Sequence, residues 1–284
     1  MRRLATTTLN IVIVVITIIG GWWLFQNHRQ IGDWWFLRSY TPPAKIEALA
    51  SQATMTQDAK KIFYRSDPEI NTNRSDLARN CRIYDDKTIE LGCYLSTQKI
   101  YLLDIQQPEL ASEMSVTAAH EMLHAAFDRL SFSERSQLSA RLNEVYSKIN
   151  DQDLKKRVQE YGDLSADELT NELHSILATE YPNLPPDLEQ YYQRYFTNRS
   201  TVVAYSTQFN DAFEGLKRQI NALDTRIKSR RAQMDTYLAR GQVAAYNSQV
   251  PIINQDIQSY NALVDQYNRY ASSLLGREEA PAAR

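Results

Sequence analysis

A chain of 284 residues with a formal net charge of −2 has no basic excess to set against a phosphate backbone, and no glycine-rich phosphate loop accompanies it. Nucleic acid is therefore excluded as a partner. Once an apolar amino-terminal run is set aside, the length suffices for one core domain of ordinary size plus an appendage, with no room for a second enzyme domain.

Arg2 and Arg3 precede the apolar run Leu9–Phe25, interrupted only by Asn10, Thr17 and Gly20-Gly21. At about 1.5 Å per residue the run falls slightly short of a hydrocarbon core roughly 30 Å thick, and tryptophan at the interface extends it. All four tryptophans lie here, as Trp22-Trp23 and Trp34-Trp35. The bulky residues after the run offer no signal-peptidase site, so an uncleaved anchor is expected. The basic flank keeps the amino terminus in the cytoplasm and directs the rest of the chain outside the cell.

Next come a helical stretch from Ala44 and a second from Met55 to Tyr64, ended by Asp67-Pro68. Cys81 and Cys93 are the only cysteines, and an even count outside the cytoplasm predicts a disulfide, two free buried thiols being the alternative. Thr88–Leu95 and Lys99–Ile105 read as short strands joined by a turn at Ser96–Gln98.

His120-Glu121-Met122-Leu123-His124 follows, within a helical pattern that spaces Val116, Ala119, Leu123, Phe127 and Leu130 on one face. Residues four apart on a helix lie one above the other, so both imidazoles can reach one metal ion with Glu121 beside them. Only four histidines exist in the chain, and two fall here. Zinc is the cation this pattern implies, with Glu121 as the general base. Ser112 and Ser115 offer helix caps, and Asp128 is placed to hold an imidazole N–H. Ala118, Ala119, Ala125 and Ala126 keep side chains small, leaving room for a substrate.

A catalytic zinc takes a third protein ligand and keeps one position open. Ser131 and Glu134 form a capping box before the apolar stripe Leu138, Leu142, Val145, Tyr146 and Ile149, which reads as core. Ser165 and Glu168 form another, predicting a helix that carries Glu172. Asn171-Glu172-Leu-His-Ser175 there resembles the second motif of gluzincins, whose third ligand is a glutamate on a later helix, which makes Glu172 the leading candidate for the third ligand. Glu180, two turns later on the same face, is the second candidate, and His174 the last. Tyr161 and Tyr181 flank this helix and could stabilise an oxyanion, although packing is the more expected role for each.

After the proline-rich joint Pro182–Pro186, a helix is expected from Asp187 to Phe196, with Tyr191, Tyr192 and Tyr195 packing. From about Ser200 the series Phe213, Leu216, Ile220, Leu223, Ile227, Met234 and Tyr237 follows coiled-coil spacing, broken at Arg230. A second series, including Tyr246, Ile253, Tyr260 and Tyr267, follows Gly241, so two helices should fold back antiparallel, with Pro251 weakening or kinking the second. The hairpin could space, self-associate or bind a protein partner. The chain thus divides into a cytoplasmic stub with anchor (1–30), a core domain (31–200), the hairpin (201–276) and a disordered tail (277–284).

The anchor, Leu91-Gly-Cys-Tyr94, Thr117–Ala125 and Glu172-Leu-His-Ser175 together resemble a group of bacterial membrane-anchored zinc metallopeptidases of gluzincin type, over roughly residues 40–200. Within that span only the His120–His124 motif is specific by itself. The resemblance implies a mostly helical α+β fold, zinc on His120, His124 and Glu172, Glu121 as base, and peptides or proteins as substrate. It also implies that Lys99–Ile105 is a sheet edge for the substrate, whereas strand propensity alone equally fits an inner strand. Where gluzincins often carry aspartate four positions after the glutamate ligand, this chain has Ile176, so the histidines must be oriented from elsewhere. The rival reading is a cell-surface coiled-coil scaffold with a structural or vestigial metal site.

Overall fold

The computed structural model describes residues 2–81, 91–152, 154, 155, 158 and 164–275, with the side chains of 2–14, 26 and 275 outside that description. It divides into two compact units, Met1–Ala44 and Lys45–Arg284. The first is essentially one helix, α1 (Arg2–Ser39), on which Trp22, Trp23, Trp34 and Trp35 are all exposed. Among the described residues no helix is long and apolar enough to cross a membrane. Of the run Leu9–Phe25, the side chains before Val15 lie outside them, as do Tyr161 and the tail 277–284.

The second unit is mostly helical with one small sheet. Helix α2 (Ala44–Gln52) buries Ile46, Leu49 and Ala50, and α3 (Gln57–Arg65) buries Ala59 and Phe63. Thr56 caps α3 by accepting from the Ala59 amide, and the helix stops before Asp67-Pro68 as expected. Strand β1 (Glu69–Asn71), α4 (Arg74–Cys81), β2 (Gly92–Leu95) and β3 (Lys99–Leu103) follow. The Cys81–Cys93 disulfide forms, with Cα atoms 5.8 Å apart, and ties α4 to β2. Residues 88–90 of the expected first strand lie outside the described residues.

Strands β2 and β3 form the expected antiparallel hairpin, Gly92 opposite Leu102, and Gln98 closes its turn with a φ of 61°. The edge expectation for Lys99–Ile105 is corrected. β3 is the central strand, because β1 pairs with it in parallel on its other side, Glu69 opposite Tyr101. Ile100, Leu102 and Leu103 are buried accordingly. Gly92 lets β2 approach closely: a Cβ there would meet Thr117 Cγ2 at 2.7 Å and the Tyr101 carbonyl at 2.9 Å. Gly92→Ala should therefore destabilise the fold by about 1–3 kcal/mol, measurable by denaturant unfolding.

A 3₁₀ turn (Pro108–Leu110) leads into α5 (Glu113–Phe127). Neither serine caps it: Ser112 makes no side-chain cap, and Ser115 donates to Gln52. The preceding turn already satisfies the first amides, as in Met114 N–H to the Ala111 carbonyl. Nor is α5 apolar on one face only. From Met114 to Phe127 every residue but His120 is buried, and the four alanines serve close helix packing instead of an open approach.

Helices α6 (Phe132–Lys148) and α7 (Ala166–Glu180) both begin with the predicted capping boxes, Ser131–Glu134 and Ser165–Glu168. Helix α8 (Pro186–Tyr192) is shorter than expected. Its continuation is diverted when the Thr56 amide bonds the Tyr195 carbonyl and the Thr197 amide the Thr54 carbonyl. Helices α9 (Arg199–Ala239) and α10 (Val243–Leu275) pair antiparallel about Gly241, whose φ is +69°, and α10 runs through Pro251 unbroken. Phe213 meets Tyr267 and Tyr270 near the base, and Ile227, Met234 and Ile253 form a separate outer cluster. Leu216, Tyr270 and Leu274 join the main core, which is why the hairpin belongs to the same unit. The break at Arg230 is a polar layer in which buried Asp256 accepts from Arg226 and Arg230.

Candidate metal centre

Helices α5 and α7 pack against one another and bring three predicted residues together. On α5 the rings of His120 and His124 lie 4.7 Å apart, nearly perpendicular. From α7, Glu172 places one carboxylate oxygen 3.6 Å from His120 Nε2 and the other 3.5 Å from His124 Nε2. One ligand atom from each residue lies within 4.8 Å of the others. Tetrahedral bonds of about 2.1 Å set ligand atoms roughly 3.4 Å apart. Each imidazole lies close to that distance from one of the two Glu172 oxygens, so the three residues form a group that could hold a cation. Glu172 Oε2 is buried without a hydrogen-bond partner, an orphaned acceptor that a cation would satisfy.

The histidine orientation comes from a residue the sequence reading did not assign. His124 Nδ1–H donates to Asn171 Oδ1 at 3.0 Å, with the Ser175 hydroxyl 3.4 Å from the same nitrogen, which leaves Nε2 as the free lone pair facing Glu172. Asn171, Glu172 and Ser175 stand on adjoining positions of one helix, and the motif they form was the available signal. Asp128, expected in this role, instead accepts from Tyr94 at 3.0 Å and lies 3.7 Å from Arg135. Glu121 is buried beside the histidines. Tyr181 packs at the margin of the core, and its carbonyl accepts from Arg199.

The other two candidates for the third ligand lie outside the convergent group. Glu180 is close enough for its charge to act on His120, but its carboxylate does not join the three. His174 is fully buried and turned toward Tyr191, whose hydroxyl lies 3.2 Å from its Nε2.

Charge follows geometry. Burial alone would lower the pKa of His120, but the carboxylate of Glu172, with Glu121 and Glu180, outweighs it and holds the ring at about 9. Burial and the neighbouring His120 lower His124 despite the attraction of Glu172. Burial opposes ionisation of Glu172, yet the two histidines keep its pKa below the usual value. His174, buried and near both histidines, is pushed to about 3 and is neutral.

In the metal-free chain these shifts act oppositely. His120 binds more protons folded than unfolded between about 6.5 and 9, so its contribution is complete below 6.5 and lost as pH rises through 9. For His174 the unfolded state binds more protons between about 3 and 6.5, so its contribution is lost as pH falls through that range. Chelator-treated protein should thus be most stable near pH 6.5, as a series of thermal midpoints would record.

The chain matches no family model, no curated protein and no solved structure.

Proposed function

We propose that the chain is a zinc metalloendopeptidase of gluzincin type, anchored in the membrane by residues 1–30 and facing outward, that hydrolyses peptide bonds in peptides or proteins. The observation that carries this reading is the convergence of His120, His124 and Glu172 from two packed helices, each imidazole 3.5–3.6 Å from an oxygen of the Glu172 carboxylate. A Cys81–Cys93 disulfide accords with an extracytoplasmic location.

Zinc on these residues would supply Lewis acidity toward a carbonyl and a water of near-neutral pKa. The Glu121 carboxylate, next to His120 and buried beside it, would be the group to take a proton from the attacking water and return it to the departing amine nitrogen. Asn171 holds the His124 ring in the tautomer that presents Nε2. His120, whose side chain keeps 18 % of its surface exposed while Met114–Ala119 and Glu121–Phe127 are buried, marks the side of α5 from which substrate arrives.

The full-length chain in detergent, assayed on a quenched peptide library, should lose roughly 10²- to 10⁴-fold in hydrolysis on Glu121→Gln while retaining one zinc per chain. An undiminished rate would remove the mechanism. The scaffold alternative needs a gentler cut than removal of the whole hairpin, since Leu216, Tyr270 and Leu274 belong to the main core. Shortening only the outer cluster around Ile227 and Ile253 should leave small-peptide cleavage intact in a peptidase.

A further inference from the structure

We infer that His174, which holds no metal, is a positioning residue: held from α8 by its hydrogen bond to Tyr191 and packed on α5 at Phe127, it fixes the rotation of α7 that presents Glu172 to the two histidines. This inference rests on the zinc reading above. His174 lies two residues beyond Glu172 on α7, and its ring meets α5 at Phe127. The Phe127 ring is 5.9 Å away, and Nδ1 is buried without a hydrogen-bond partner. On its other side the ring stacks on Tyr192 at 5.4 Å and meets Tyr191 and Tyr195 edge-on.

Polar contacts fix this stack. The Tyr191 hydroxyl lies 3.2 Å from His174 Nε2 and 3.3 Å from the Tyr195 hydroxyl, and Tyr192 donates to the His174 carbonyl at 2.9 Å. A ring protonated on Nδ1 has Nε2 free to accept from the Tyr191 hydroxyl. An all-apolar filler would hold the volume without fixing rotation or translation of α7. Metal bonds tolerate only about 0.2 Å of error, so a small slip of α7 along α5 would move Glu172 out of reach of one histidine.

The test measures Zn²⁺ affinity by chelator competition on the full-length chain, alongside unfolding of the metal-free protein. Tyr191→Phe removes one hydroxyl and should weaken zinc binding about 10-fold or more, as should His174→Phe. His174→Gln, which keeps an acceptor for Tyr191, should recover most of the affinity. Ile46→Ala, a core truncation on α2, should lower stability without changing affinity, a separation that generalised loosening would not produce. Wild-type affinity in folded Tyr191→Phe and His174→Phe chains overturns this inference alone. A wild-type chain that takes up no zinc overturns the metal reading and this inference with it.

Discussion

Glu172→Ala is expected to abolish stoichiometric zinc binding in a chain that still folds. Zinc binding free energies of roughly 10–16 kcal/mol shared over four ligands put one ligand near 3 kcal/mol, more than a hundredfold in affinity. The substitution also removes the carboxylate that lies 3.5 and 3.6 Å from the two imidazoles and holds His120 protonated in the metal-free state. Its pKa should therefore fall, a change visible in the ring-proton resonances of His120. Glu180→Ala leaves all three convergent residues in place and should retain the metal. Elemental analysis of both variants after dialysis decides the matter. Loss of zinc from Glu180→Ala with retention in Glu172→Ala would reverse the assignment.

The largest effect on stability is expected away from the histidines, at Arg199. This first residue of α9 is buried, and its guanidinium reaches the carbonyls of Leu177, Ala178, Tyr181 and Pro182 at 3.3, 3.0, 2.8 and 3.1 Å while pairing with Glu189. A cation is disfavoured by the dipole of its own helix start, but here it sits at the carboxyl end of α7, where the dipole favours it. Arg199→Ala leaves those acceptors buried without their donor and should cost about 3–5 kcal/mol, read by denaturant unfolding of the full-length chain. Arg199→Lys keeps the charge but not the planar fork and should recover only part. A loss under about 1 kcal/mol for Arg199→Ala would show that water replaces the guanidinium easily, contrary to the burial of this side chain.

What could be read beforehand was local. Two histidines four apart, two capping boxes and two heptad series are statements about residues within one or two turns of each other, and each marks its element in the structure. The helix that carries Glu172 was legible because the Ser165–Glu168 box starts it at a definite residue, though the box alone does not separate Glu172 from His174 or Glu180. Features that depend on distant partners were not. β1 is three residues without apolar alternation and exists because β3 offers it a parallel partner. That pairing, in turn, moved Lys99–Leu103 from edge to centre. Asp128 is one turn from His124, yet the ring turns to Asn171 on another helix. The alanines of α5 read as space for substrate, but neighbouring elements fill it and bury all four. Arg199 carried no local signal because the carbonyls it reaches lie 17 to 22 residues earlier.

The central claim is that His120, His124 and Glu172 hold one zinc ion together, and X-ray absorption at the zinc edge of the purified full-length chain tests it most directly. The expected spectrum is one zinc per chain with only nitrogen and oxygen neighbours near 2.0–2.2 Å, including the multiple scattering of two imidazoles. Zinc far below one equivalent, or a spectrum without histidine scattering, would contradict it.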